Sequence, residues 1–149
     1  MEEYEILREK YGLPGLKAMD REFEISTIEI DTFFIRNIRK KMTEKVEYFA
    51  DMLLKVLQPE TDISQLHEVS FFSDAEKDEL LHTYKKLMYH FKWAVRLVVD
   101  DSDKENAEFI NETYKMLQDI KPKLKKYCDK IRDTWTKELR TKDKAGYFG

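Results

Sequence analysis

Residues 82–97, HTYKKLMYHFKWAVRL, hold two histidines, four aromatics and four basic side chains in sixteen positions, with no acid among them. At about 100° per residue, Tyr84, Leu87, Met88, Phe91 and Val95 fall on one face of a helix and read as its core side. His82, Lys86, Tyr89, Trp93 and Arg96 form a second stripe on roughly the opposite side, flanked by His90 and Leu97. A surface helix ordinarily has a polar back, and this one carries aromatics there. The sequence therefore predicts a helix that needs cover on two sides.

Three covers fit. The amino-terminal residues 1–25 carry Tyr4, Leu7, Leu13, Leu16 and Phe23, which need a surface of their own. A protein partner, a second copy of the chain among the candidates, suits Trp, Tyr and Arg, the side chains that anchor interfaces. RNA or single-stranded nucleic acid would stack on Tyr89 and Trp93 and meet phosphate through Lys86, Lys92 and Arg96. That reading also draws on Arg36, Arg39 and Lys40 of a second basic group, for which a solvated helix face is the plain alternative. Lys121, Lys123, Lys125, Lys126 and Lys130 make a third such group.

The rest of the chain supplies the helix's neighbours. Ser-x-x-Glu occurs ahead of helical periodicity three times, at Ser26/Glu29, Ser73/Glu76 and Ser102/Glu105, and each reads as a capping box. Behind Ser26, Ile35, Ile38, Met42, Val46, Phe49, Leu53 and Val56 recur at three- and four-residue steps until Pro59, which predicts a helix over 26–58. Behind Ser73 the pattern includes Leu80, Leu81, Tyr84, Leu87, Met88, Phe91, Val95 and Val98, giving a helix over 73–99. Behind Ser102 it runs from Phe109 through Cys128, Ile131, Trp135 and Leu139 and stays in phase across Pro122, giving a helix over 102–141 kinked near the proline. Residues 1–25 read as two short helices, 59–72 as a connector with a helical turn near 62–67, and 142–149 as a tail in which Tyr147 and Phe148 could tuck. The fold expected is one all-α domain over residues 1–149, an antiparallel bundle of three long helices with two short N-terminal helices packed against it.

Composition agrees. A chain of 149 residues with 42% apolar content has room for one core, and four glycines with three prolines are few for a loop-rich or all-β protein. Basic and acidic residues, 27 and 30, nearly cancel, so any attraction to a polyanion must be local. The single cysteine excludes an internal disulfide, the acidic start MEEYEILREK is unlike a signal peptide, and no apolar run reaches the roughly 20 residues of a bilayer span. The expected compartment is the cytoplasm.

Motifs for chemistry are sparse. Glu79 and His82 match one Glu-x-x-His element, whereas di-iron bundles take that element from two helices and add two more glutamates. His67 and His90 lack a ligand at metal spacing and read as surface or partner-facing, and Cys128 reads as a small buried hydrophobe. No phosphate-cradling loop is present. Glu44 and Glu47, with Glu76 and Glu79, resemble the paired acidic motifs of the all-α nucleotide pyrophosphatases. The resemblance implies magnesium held between antiparallel helices, but Glu79 stands where that family has aspartate, and Glu44, Glu47 and Asp51 lie opposite Met42, Phe49 and Leu53. The expectation is a non-catalytic protein-interaction module without metal, cofactor or identified small-molecule substrate, its partner site at His82, Lys86, Tyr89, Trp93 and Arg96. Nucleic-acid binding and a magnesium-dependent pyrophosphatase are the alternatives.

Overall fold

A computed structural model describes residues 2–140; the tail, with Tyr147 and Phe148, lies outside the described residues. The described residues are all-α, with six α-helices: α1 Glu2–Tyr11, α2 Leu16–Phe23, α3 Phe34–Leu57, α4 Ile63–Val69, α5 Asp74–Val99 and α6 Asp103–Thr134. No strand occurs among the described residues. The three long helices, α3, α5 and α6, pack on one another.

Side-chain pairs fix their directions. Arg39 near the start of α3 reaches the carbonyl of Ala94 near the end of α5, so these two run antiparallel. Lys86 meets Asp119 and Lys130 meets Glu76, so α5 and α6 also run antiparallel. Met52 faces Cys128 and Lys45 shares Glu22 with Lys121, which leaves α3 and α6 parallel to each other and antiparallel to α5.

Two of the three capping boxes hold a helix start. At Ser73 both reciprocal bonds form with Glu76, and at Ser102 the hydroxyl accepts from the Glu105 amide at 3.2 Å. Ser26 does not open α3. Its amide donates to the Asp20 carboxylate at 2.8 Å, so it finishes α2, behind Glu24 in the left-handed region with φ of 54°. The helix expected from residue 26 begins at Phe34, after a turn in which Asp31 accepts from the amides of Phe33 and Phe34. At 24 residues it is about 36 Å long.

The apolar series on α3 is otherwise the buried one: Ile35, Ile38, Met42, Val46, Leu53 and Val56 are at most 4% exposed. On α6 the buried row Phe109, Ile110, Thr113, Leu117, Ile120, Leu124 and Tyr127 runs through Pro122 within one unbroken helix. That helix ends at Thr134, short of the expected 141. Cys128 is exposed, contrary to the buried position expected of it. The connector forms α4, capped by Asp62, and His67 anchors it. Nδ1 of the fully buried ring accepts from the Arg140 amide, so Nε2 carries the proton and donates to the Thr134 carbonyl at 2.8 Å. His67 thus ties α4 to the end of α6, where sequence reasoning placed it on the surface.

The inner face of α5 is not the one its large apolar residues suggest. Leu80, Thr83, Leu87, His90, Ala94 and Leu97 are buried at alternating three- and four-residue steps, while Leu81, Val95 and Val98 are exposed. This face is rotated by roughly 90° from the expected one. The cause is side-chain size at the seam. α5 packs on both α3 and α6, and the small side chains of Thr83 and Ala94 on its inner face leave room for the Arg39 side chain to bond the Ala94 carbonyl at 3.2 Å. Tyr84, Met88 and Phe91 are displaced to half-buried flanking positions.

Candidate functional site

Rotation of α5 redistributes the residues singled out in its second stripe. Trp93 and Lys86 move to the α6 side. The indole is half-buried, edge-on to Phe109 with centroids 5.3 Å apart, and Lys86 pairs with Asp119 at 3.2 Å. His90, expected at the surface, is 8% exposed and bonds the Thr113 hydroxyl at 2.8 Å. Burial depresses its pKa below the ordinary histidine value, which Glu112 only partly counters. His82, Tyr89 and Arg96 stay outside, with Tyr89 70% exposed.

Sequence reasoning missed one member of this outer face and left another to the nucleic-acid reading. Lys85, Tyr89, Lys92 and Arg96 recur at steps of four, three and four, which aligns them along the helix, and all four are exposed. Lys85, Lys92 and Arg96 take part in no ion pair among the described residues; Arg96 instead donates to the Asp100 carbonyl at 2.6 Å. The signal was available: the periodicity is visible once the inner face is set on Leu80, Thr83 and Leu87. Beside this row an open groove of about 500 Å³ runs between α5 and α6, lined by His82, Lys85, Tyr89, His90 and Met116 among others. Its remaining charges are matched, Lys86 by Asp119 and Lys115 by Glu112.

Residues 1–25 do not cover this face. Tyr4 is buried and donates to the Pro14 carbonyl, the Tyr11 carbonyl accepts from Asn111 of α6, and Glu22 bridges Lys45 of α3 and Lys121 of α6. The segment therefore straps α6 to α3. Its loop comes near α5, where Gly12 and Trp93 line one cleft.

The basic residues proposed for nucleic acid differ in pairing and exposure. Arg36 makes a two-bond pair with Asp101 at 2.9 Å, and Arg39 is 2% exposed with its guanidinium 3.8 Å from the same carboxylate. Hydrogen bonds from Arg36 and Asn106 hold the Asp101 carboxyl below its usual range. Lys40 and Lys92 are exposed and Lys86 is paired. In the third basic group, on α6, three of the five lysines are also engaged, Lys121 with Glu22, Lys123 with Glu79 and Lys130 with Glu76.

The carboxylates of the pyrophosphatase resemblance do not converge. Glu44 and Glu47 are exposed, Glu76 is held by Lys130 and the Ser73 cap, and Glu79 lies 3.9 Å from Lys123. Among the described residues no group of three or more acidic, histidine or cysteine side chains is placed to hold a metal ion. No described helix is long and apolar enough to cross a membrane. Searches of protein-family models, curated proteins and solved structures match nothing to this chain, so the functional reading rests on its own residues.

Proposed function

We propose that the protein is a non-catalytic docking module whose α5 outer face receives an acidic amphipathic segment of another protein. The observation that carries this reading is the exposed row Lys85, Tyr89, Lys92 and Arg96, three cations without ion pairs around one bare aromatic ring. An aromatic anchor flanked by unsatisfied charge fits a partner with an apolar side chain between carboxylates. The neighbouring groove gives that side chain a place to enter.

A second copy of the chain suits this face less well. Pairing about a twofold axis at Tyr89 would bring Lys85 and Lys92 of one copy against those of the other, and like charges oppose such an interface. Single-stranded nucleic acid matches the same row, but with Arg36 and Arg39 engaged by Asp101 it has few phosphate contacts to draw on.

The test is a tryptophan-fluorescence titration of the Trp135→Phe chain, which leaves Trp93 as the one indole, with an acidic amphipathic helical peptide and, separately, with single-stranded RNA of equal charge, alongside solution mass by light scattering. The expected result is saturable peptide binding by a monomer, abolished by Tyr89→Ala combined with Lys92→Glu. Tighter binding of RNA, or a dimer dispersed by that double substitution, overturns the proposal.

A further inference from the structure

The groove between α3 and α6 has a different chemistry, and the inference drawn from it does not depend on the α5 face. Its wall on α6 is built from Leu117, Lys121, Leu124 and Cys128, again at steps of four, three and four, and its wall on α3 includes Phe49. The half-open groove has a volume of about 320 Å³. From Leu117 to Cys128 it follows about 16 Å of helix. Cys128, part of this wall, donates its thiol proton towards the Met52 sulfur at 3.4 Å.

Charge is confined to the rim. Lys45, Lys121 and Lys125 stand around the apolar slot with a single acid, Glu22. Burial opposes the Glu22 charge, yet the hydrogen bond from Lys121 and the charge of Lys45 outweigh it and hold the carboxyl below its ordinary range. Glu22 is thereby committed to two lysines, and Lys125 makes no ion pair among the described residues. Three cations against one anion leave the rim positive.

We propose that this groove binds a linear amphiphile with a carboxylate head, a free medium-chain fatty acid, its chain along Phe49, Leu117, Leu124 and Cys128 and its head at Lys125. Size favours a single chain over a helix. Small-molecule sites begin near 300 Å³, whereas a docked helix, about 10 Å across, would overfill a slot of about 320 Å³. Sign favours an acid over an alcohol or an amine, because a bare lysine beside an apolar wall gains most from an anionic head.

Cys128, the only cysteine in the chain, provides a direct measure of occupancy. Its rate of alkylation by N-ethylmaleimide is measured at mildly alkaline pH on the full chain, with decanoate or decyltrimethylammonium added below its micelle concentration, or decanol below its solubility limit. Decanoate is expected to slow labelling by about tenfold at ten times its dissociation constant, and decanol to protect more weakly. Lys125→Glu, at an exposed position, is expected to weaken decanoate protection by roughly threefold to fivefold while leaving decanol unchanged. An unaltered rate with decanoate, equal protection by all three amphiphiles, or protection by an acidic helical peptide but not by decanoate overturns the proposal.

Discussion

The start of α3 and the outer face of α5 each carry a cluster of cations, and the two clusters have opposite fates. At α3, Arg36 and Arg39 turn inward onto Asp101, which also accepts from Asn106, so one carboxylate joins α3 to the α5–α6 turn and α6. On α5, Lys85, Lys92 and Arg96 face solvent with no acid within pairing distance among the described residues. The difference teaches that a basic run is not itself a binding signal. What matters is whether the fold brings an acid to it, and only the cations left without one remain available to a partner.

The sharpest way to break the contrast is Asp101→Ala. It strands the buried Arg39 guanidinium and is expected to cost about 3 kcal/mol in urea unfolding, the effect of removing one side of a buried ion pair. Arg39 already has its Nε buried without a partner, as does Oδ1 of Asn106. Adding Arg39→Met to the Asp101→Ala background is therefore expected to restore most of the loss; no recovery would mean that Asp101 acts chiefly through Arg36 and Asn106.

A smaller effect separates the two faces of α5 itself. Burial keeps the pKa of inward-facing His90 below its unfolded value, so the folded state binds fewer protons across that interval. Stability should be complete above the unfolded histidine pKa and decline as pH falls towards the folded one. The urea midpoint of the wild type should drop more between about pH 7.5 and 5.5 than that of His90→Gln, and equal drops would contradict this.

The smallest effect on stability is expected where the proposed function is strongest. Changing Lys85, Lys92 and Arg96 together to Gln should move folding stability by no more than about 0.5 kcal/mol, because none of the three is in an ion pair and the Asp100 carbonyl that Arg96 bonds is at an exposed position where water replaces the donor. The same triple variant should lose acidic-peptide binding. A large drop in melting temperature would instead give the row a structural role.

Much of this architecture was legible in the chain. The stripes of α3 and α6 were largely readable because each helix buries one side, so most of its aliphatic residues are inward ones, although Tyr48 on α3 and Trp135 just past α6 are exposed. Ser73 marked α5 correctly because its capping partners lie within the same turn. Ser26 misled because its nearest acceptor, Asp20, belongs to the preceding helix. His67 was unreadable as an anchor, since its two bonding partners lie 67 and 73 residues away.

Sequence alone determined that there are three long helices, where two of them begin, and that α5 has more aromatic surface than a single core face needs. Tertiary structure decided which side of α5 turns inward and which cations stay unpaired. The reason is that local pattern encodes backbone hydrogen bonding and side-chain size along one helix. Close approach of three helices selects small residues such as Thr83 and Ala94, and an ion pair such as Arg36 with Asp101, 65 residues apart, exists only once the chain has closed on itself.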